Sequence, residues 1–457
     1  MASALSNKIY RTLFIAQVIS LLGTGLSTIA LALLAFELAG NEAGKVLGTA
    51  LALKMIAYVF VAPVVGGFAH KFSRRRLLII LDLGRAVLIL FLPFVNEIWQ
   101  IYLIIFILNS FSAGFTPIFQ ATIPDILTDK GQYTRALSLS RLAYDLENLS
   151  SPMIAALLLT VLSYDVLFVT NMLAFLVSAI LIFSIKLPSP KLYERQHGVW
   201  QNTSFGIRAY LKTPRLRGLL ALSLAVASAG AMVIVNTVVY VRDQLAGSES
   251  DTALAYTAVG VGSMVGALLL PKLLERFTER LFMITGGFVL AVSLLMGVNA
   301  PNYLNLLILW LCIGFGSSLI LTPSGRLLLT SANEGGRPAI YAAQFALSHA
   351  CWLFSYAFAG WVGFKFGLSV AFLLLFLVTI LSTLLAIFLW PADDPNDIDH
   401  VHSSLNHGHL HVSDEHHLHD HEGWEGPEPH DHLHVHEPQR HSHHYVIDIH
   451  HHRWPSS

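Results

Sequence analysis

The chain has 457 residues, of which 54% are hydrophobic and 12% are charged, and its formal net charge is -1. Soluble domains carry about 25% charged residues, so the composition excludes a water-soluble globular protein, and the balanced charge gives no reason to expect nucleic-acid binding. Both cysteines, Cys312 and Cys351, fall inside apolar stretches, which indicates that no disulfide framework is present.

Twelve apolar stretches are long enough to cross a bilayer, because a spanning helix needs roughly 20 apolar residues. The first is too long for a cleaved signal peptide, and no small-residue cleavage site follows it. We therefore predict an all-α polytopic membrane protein. In chain order the stretches are 12–39, 46–69, 77–95, 101–124, 136–162, 165–185, 218–241, 253–271, 281–298, 304–323, 338–362 and 367–390.

Basic residues in the loops orient this membrane domain. If the N-terminus is inside, the inner segments hold twenty Lys and Arg and the outer loops hold three, and basic residues favour the cytoplasmic side. We therefore expect both termini in the cytoplasm of a bacterial inner membrane. The predicted parts are a first six-helix bundle over 1–185, a cytoplasmic linker over 186–217, a second six-helix bundle over 218–392 and a tail over 393–457.

The loop after the second stretch carries a motif. It reads GGFAHKFSRRR from Gly66 to Arg76, and a related basic loop, PKLLERFTER, follows the eighth stretch about 205 residues later, which indicates an internal repeat. The first loop resembles the signature of the major facilitator superfamily, with His70 where that family has Asp. The resemblance implies two six-helix repeats and a gating role for the matching residues, which are Gly66, Lys71, Ser73, Arg74 and Arg75.

The third stretch contains Asp82 and Arg85, three residues apart on one helical face. We expect them to pair with each other or with the adjacent basic loop, in a structural or gating role.

The fifth stretch is the most polar, although each ionisable group inside hydrocarbon costs about 2.5 to 3.5 kcal/mol. At about 100° per residue, Arg141, Asp145, Asn148 and Pro152 share one stripe, and Glu147 points away from it. Two interpretations stay open. Either the stripe lines a central transport site with Asp145 as its central group, or Arg141 and Asp145 only neutralise each other.

The same stretch ends in Ser151-Pro152-Met153-Ile154-Ala155-Ala156, which is similar to the Gly-Pro-x-x-Gly-Gly end of the antiporter motif of superfamily exporters. Ser and Ala keep the small-residue packing of the glycines that they replace. This resemblance favours export over import.

The eleventh stretch supplies a matching polar stripe 203 residues later, formed by Gln344, Ser348, Cys351 and Ser355. His349 lies off that stripe and is either a ligand or a locally satisfied histidine. Lys54 and Glu147 sit at comparable depth, so a pair between spans two and five is a further alternative. The candidate transport residues are Arg141, Asp145, Glu147, Asn148, Gln344, Ser348, His349 and Cys351.

The tail holds nineteen of the 22 histidines, between His400 and His452, interleaved with acidic residues. Neutral imidazole suits Ni²⁺, Co²⁺, Cu²⁺ and Zn²⁺. Without an apolar core the tail is expected to be disordered. The candidate metal ligands are His407, His409, His411, His416, His417, His419, His421, His430, His432, His434, His436, His441, His443, His444, His450, His451 and His452.

Twelve spans with a histidine-rich cytoplasmic C-terminus resemble the bacterial nickel-resistance exporters, some of which also handle cobalt. The resemblance implies efflux of Ni²⁺ or Co²⁺ from cytoplasm to periplasm in exchange for protons, with a tail that captures metal. We expect a monomer in the lipid bilayer with no bound cofactor. No P-loop or nucleophile constellation indicates an enzyme.

Two alternatives stay open at this point. One is an exporter of an organic compound, such as a macrolide-like drug or a siderophore, with an accessory metal-binding tail. The other is a membrane-anchored metal buffer or sensor that transports nothing.

Overall fold

The first half of the chain folds into six long helices. The computed structural model describes residues 4–61, 73–127, 130–188, 199–332, 337–394, 397–401, 405–411, 430–436, 440–447 and 454. The helices are α1 (Lys8–Ala39), α2 (Ala43–Ile56, continued by a π-helical turn over Ala57–Val61), α3 (Arg74–Leu90), α4 (Ile98–Ile126), α5 (Lys130–Leu158) and α6 (Asp165–Phe183).

A linker helix and six further long helices follow. The linker helix α7 and the start of α8 both lie inside the segment predicted as a polar linker. The helices are α7 (Val199–Lys212), α8 (Pro214–Val239, continued by a π-helical turn over Tyr240–Gln244), α9 (Glu249–Leu273), α10 (Glu279–Gly297), α11 (Tyr303–Leu329), α12 (Arg337–Phe366) and α13 (Leu368–Leu389).

Polar side chains define where several of these helices begin. Asn7 accepts hydrogen bonds from the backbone N–H groups of Ile9 and Tyr10, at 3.0 and 3.1 Å, and so caps α1. Ser248 and Asp251 form a reciprocal capping box at the start of α9. Such caps satisfy backbone donors that the first helical turn leaves free. The helix starts therefore follow from local sequence.

Ten helical stretches among the described residues are long and apolar enough to cross a membrane, and the first of them, Lys8–Val61, contains both α1 and α2. The polar helix α5 is not among the ten. The prediction of a twelve-helix membrane domain is confirmed by α1–α6 and α8–α13.

The most extensive contacts between the halves are those of α2 with α12 and of α5 with α9, and α8 also contacts α1 and α2. The first pair approaches closely because of glycines. A Cβ on Gly48 would lie 2.5 Å from the backbone oxygen of Tyr356, and one on Gly360 would lie 2.4 Å from the backbone oxygen of Gly44. Beside this contact, the ammonium of Lys45 lies 5.1 Å from the ring centre of Trp361. The halves are thus in direct backbone contact at the Ala43 end of α2.

The described parts of the tail differ from the expected disorder. Strand β1 (Asp397–Val401) pairs antiparallel with β4 (Arg440–His444), and β2 (Leu405–His411) pairs antiparallel with β3 (His430–His436). A backbone ladder satisfies the donors and acceptors of these segments without an apolar core of their own. The histidines recur every second residue. The sequence analysis interpreted them as metal ligands, but this spacing is also typical of a β-strand.

Helices α9 and α11 pack closely because a glycine of each helix faces the backbone of the other helix. A Cβ on Gly262 would lie 1.9 Å from the backbone oxygen of Leu311, whereas a Cβ on Gly325 would meet nothing within 4 Å. We predict that Gly262→Ala lowers the free energy of unfolding by about 1–3 kcal/mol through overpacking, as measured by thermal denaturation in detergent. The control Gly325→Ala should not be destabilised. Equal stability of the two variants would contradict this packing.

Candidate functional site

The first half encloses a cavity of about 90 Å³ between α1, α2, α3, α4 and α6. Its wall combines amide and hydroxyl groups with aromatic rings and two cationic side chains. Such a mixture offers hydrogen-bonding groups on an otherwise apolar surface, which is typical of sites for small organic molecules. The lining residues are Gln17, Ser20, Leu21, Thr24, Lys54, Tyr58, Arg85, Leu108, Asn109, Ser112, Phe115, Phe119 and Phe175.

Lys54 of this wall interacts electrostatically with Glu147 of α5. Glu147 packs against α1, since a Cβ on Gly25 would lie 3.2 Å from its Cγ. The sequence left a Lys54–Glu147 pair open, and the structure places the two side chains within electrostatic range of each other. Opposite charges that face each other in a low-dielectric interior attract more strongly than in water.

The face of α5 that contacts α1 carries three polar residues. Ser140 donates to Gln17 Oε1 at 3.3 Å, and Ser151 donates to the backbone oxygen of Leu22 at 3.2 Å. Glu147 lies between these two serines along the same face. Arg141, Asp145 and Asn148 lie roughly 100° around the helix axis from it, and their side chains fall outside the described part of the chain.

The second half repeats this face with a different offset from the one that the sequence indicated. Gln344 donates to Ser223 Oγ at 3.5 Å, and Ser355 Oγ lies 3.4 Å from Ser228 Oγ. Gln344, Cys351 and Ser355 are thus the equivalents of Ser140, Glu147 and Ser151, 204 residues earlier. This pairing of faces corresponds to an offset of 204 residues, whereas the sequence comparison used 203, and a one-residue shift turns a helix by about 100°.

The remaining candidates of α12 make local contacts. Ser348 donates to the backbone oxygen of Phe345 at 3.1 Å, and His349 Nδ1 lies 2.7 Å from the same oxygen. The His349 ring also stacks on Tyr58, with ring centres 5.5 Å apart. Because Tyr58 lines the cavity of the first half, His349 lies where the second half meets the cavity wall.

Gln344 also ties the linker helix to α12. The Tyr210 hydroxyl donates to Gln344 Oε1, and Tyr210 is fully buried. Burial raises the pKa of this phenol, because its anion would lose hydration. Tyr210 therefore stays a neutral hydrogen-bond donor. The sequence gave no indication of this contact, since α7 and α12 are far apart in the chain.

Asp82 and Arg85 form an ion pair with each other, as the spacing predicted. Asp82 is 0% exposed and Arg85 is 5% exposed. Ser178 donates to Asp82 Oδ2 at 2.7 Å, and the guanidinium lies 4.2 and 4.5 Å from the ring centres of Phe115 and Phe175. Among the described residues, Arg85 Nε has no hydrogen-bond acceptor. This N–H is a free donor on a side chain that lines the cavity.

Three of the five motif residues in the loop before α3 belong to the described part of the chain. Gly66 and Lys71 lie outside the described residues, and Ser73 precedes the first turn of α3. Arg74 pairs with Asp125 at the end of α4, and Arg75 donates to the backbone oxygen of Phe183 at the end of α6. The motif therefore joins three helix ends, and Asp125 is a partner that the sequence analysis missed.

The histidines of the tail fall partly on the described strands. His407, His409 and His411 belong to β2, and β3 and β4 carry a second set. Among the side chains that the structure describes, no three metal-ligating groups come together. The second set is His430, His432, His434, His436, His441, His443 and His444, and outside the described residues lie His416, His417, His419, His421, His450, His451 and His452.

Comparisons with known proteins agree with this architecture. Residues 13–241 and 220–410 match the family model of the Major Facilitator Superfamily. The chain is similar to the solved structure of a bacterial homolog of the human lysosomal transporter Spinster, with a TM-score of 0.69 and 11% identity over 85% of this chain and 97% of that one. The nucleoside transporter NupG aligns with a TM-score of 0.66 and 13% identity over 84% of this chain and 100% of that one.

Curated relatives include efflux proteins. Macrolide efflux protein A of Streptococcus pyogenes is 23% identical over 64% of this chain and 73% of its own length, and that of Enterococcus faecalis is 24% identical over 56% and 83%. The uncharacterized transporter YfiS of Bacillus subtilis is 29% identical over 38% of this chain, which spans 41% of that relative.

The buried Asp82–Arg85 pair generates a stability prediction. Asp82→Asn removes the counter-charge of a buried guanidinium and should cost about 3–5 kcal/mol of unfolding free energy. The control Ser178→Ala removes one hydrogen bond to the same carboxylate and should cost only about 1 kcal/mol. Thermal denaturation of both proteins in detergent measures the difference. If Asp82→Asn is no less stable than Ser178→Ala, the carboxylate does not compensate the charge of Arg85.

Proposed function

The chain belongs to the Major Facilitator Superfamily, and we propose that it is an efflux carrier for a large organic compound with apolar faces and hydrogen-bonding groups, the chemistry of the macrolides. The observation that carries this proposal is the wall of the cavity in the first half. Phe115, Phe119 and Phe175 supply apolar surface there, and amide and hydroxyl side chains supply hydrogen-bonding groups. The macrolide efflux relatives support the direction of transport.

The present cavity is a part of the cargo path and not the whole of it. Its volume of about 90 Å³ holds a few water molecules at most. In superfamily carriers the cargo site lies between the two repeats, which rock against each other. Tyr58 and His349 mark the edge at which the cavity of the first half meets α12. We infer that movement of the halves widens the cavity towards α12 and admits the cargo.

Glu147 and Lys54 are the groups that we propose for proton coupling. Both are desolvated within the membrane domain and interact with each other. A proton taken up by Glu147 removes the attraction to Lys54 and leaves the ammonium of Lys54, which lines the cavity, without its counter-charge. An uncompensated ammonium in the cavity wall repels a cationic cargo, such as a macrolide that carries a protonated amine, so proton and cargo compete, which is the requirement for exchange of one for the other.

The orientation follows from charge. The motif arginines lie at the start of α3, and Arg215 lies at the start of α8, next to the linker helix. Basic residues favour the cytoplasmic side. We therefore propose that the linker helix and both termini face the cytoplasm of an inner membrane, and that a monomer moves cargo outward.

Export of Ni²⁺ or Co²⁺ is the second candidate, and the histidines of the tail favour it. The described cavity does not share this chemistry, since its ionisable wall residues are Lys54, Tyr58 and Arg85. A divalent cation prefers neutral imidazole or anionic ligands. The tail and the cavity thus point to different ligands, and we assign the cargo from the cavity.

Tolerance assays separate the two candidates. Expression in a pump-deficient host should lower macrolide accumulation and raise macrolide tolerance several-fold, because the cavity wall suits an organic cargo. A matched chain truncated after Pro395 keeps every membrane helix and should still give macrolide protection. Ni²⁺ or Co²⁺ tolerance that rises with the full chain, is weakened by the truncation at low metal, and comes without macrolide tolerance would overturn the assignment in favour of the metal.

Glu147→Gln tests the coupling group, with Asp145→Asn as a matched variant two residues away on the same helix. We expect Glu147→Gln to lower export driven by a proton gradient by roughly ten-fold or more, because proton transfer is lost while side-chain shape is kept. Proton-driven uptake of cargo into inside-out vesicles, corrected for protein content, measures export by both variants. If export is lost in Asp145→Asn but kept in Glu147→Gln, the coupling role belongs to the stripe of Arg141 and Asp145.

A further inference from the structure

The end of the tail is buried against the membrane domain. Tyr445, Val446 and Ile447 are 5%, 5% and 8% exposed, and Tyr445 and Ile447 belong to the main apolar core. The Trp454 ring meets the Tyr445 ring edge to face, with centres 5.2 Å apart. A polar tail without a docking site would leave these apolar side chains in water. Tyr445, Val446, Ile447 and Trp454 therefore form a built contact.

The contact centres on a buried cation. Arg215, in the first turn of α8, is 2% exposed, its Nε lies 3.4 Å from Asp394 Oδ2, and its guanidinium lies 5.3 Å from the centre of the Trp454 ring. Asp394 also accepts a hydrogen bond of 2.9 Å from Trp390 Nε1. The guanidinium is thus held by a carboxylate and by an aromatic ring, both of which attract a positive charge.

This contact lies at the joint between the linker helix and the second half. Arg215 follows the end of α7 by three residues. Tyr210, in the last turn of α7, is bound to Gln344 of α12. A Cβ on Gly218 would lie 2.8 Å from the Trp390 side chain, so α8 also packs tightly against the end of α13. A contact that holds Arg215 in place therefore also constrains the segment that joins the two halves.

Strand pairing connects this joint to the histidines. Strand β4 ends directly before Tyr445, and its His441 is paired with His400 of β1. In the β2–β3 ribbon, three rungs oppose histidine to histidine, namely His407 with His434, His409 with His432, and His411 with His430. The three rungs share one face of the ribbon, because residues two apart do so. Directly opposed positions of an antiparallel pair are about 5 Å apart, and imidazole is a ligand that divalent transition metals favour.

We propose that the tail is a metal-responsive clasp on the joint of the carrier, a regulation that rests on the proposed efflux function. A divalent transition metal that bridges β2 and β3 holds the segment of β1 and β2 against the segment of β3 and β4. This favours the β1–β4 pairing, which places Tyr445 and Trp454 next to Arg215. Because linkage is reciprocal, docking at Arg215 also raises the metal affinity of the ribbon.

Trypsin cleavage after Arg440 reports docking without any transport step. Arg440 is the β4 partner of Val401, so pairing protects its peptide bond. In detergent-solubilised full-length protein, we expect excess Ni²⁺ to slow this cleavage by about five-fold or more over the metal-free sample, the size of a typical coupling between sites. Trp454→Ala should speed the metal-free cleavage. A denatured control reports any effect of Ni²⁺ on trypsin itself.

Two matched triple variants locate the metal. His430→Asn with His432→Asn and His434→Asn removes one side of every rung, whereas His450→Asn with His451→Asn and His452→Asn removes as many histidines outside the ribbon. We expect the first set to lose the Ni²⁺ protection and the second to keep it. Equal behaviour of the two sets, no protection by Ni²⁺, or no effect of Trp454→Ala would overturn the clasp. Because no cargo is present, these outcomes are independent of whether the efflux assignment fails.

Discussion

The cost of a charge in hydrocarbon is the constraint on which the interior of this protein depends. An ionisable side chain there needs a partner or a polar cavity. In the first half Asp82 holds Arg85 between two phenylalanine rings, and Glu147 faces Lys54. Both cations of these pairs line the same cavity. These charged residues thus line a polar cavity in the half that they stabilise. A cargo or a proton that enters the cavity must alter their pairing.

The two repeats differ in the polar residues on the equivalent faces of α5 and α12. Ser140, Glu147 and Ser151 face α1 in the first half, and Gln344, Cys351 and Ser355 take the equivalent positions in the second. The neutral Cys351 stands where the first half has the carboxylate of Glu147. Gln344 is instead bound to Tyr210 of the linker helix. The first half therefore carries the charge that we propose for proton coupling, while the matching face of the second half contacts the linker helix through Gln344.

Apolar length and residue spacing predicted much of this structure. Hydropathy located the spanning helices, and the three-residue spacing of Asp82 and Arg85 predicted their pair, because both depend only on local geometry. Partners distant in sequence were missed, such as Asp125 for Arg74 and Tyr210 for Gln344, since no periodicity encodes which helix ends meet. The faces that contact α1 and α8 differ by 204 residues rather than the 203 used from the sequence, because a one-residue difference, which turns a helix face by about 100°, is below what residue patterns resolve. The strands of the tail were missed because the alternating histidines were interpreted as metal ligands and not as a strand pattern.

Proton release on cargo binding is the measurement that tests the central claim most directly. Calorimetric titration of purified protein with a macrolide, in buffers of different ionisation enthalpy, counts the protons that leave when the cargo binds. If cargo and proton compete through the Lys54–Glu147 pair, the wild-type protein releases protons on binding and the Glu147→Gln variant binds without release. Binding that releases no protons in the wild-type protein, or equal release in both proteins, would contradict the account.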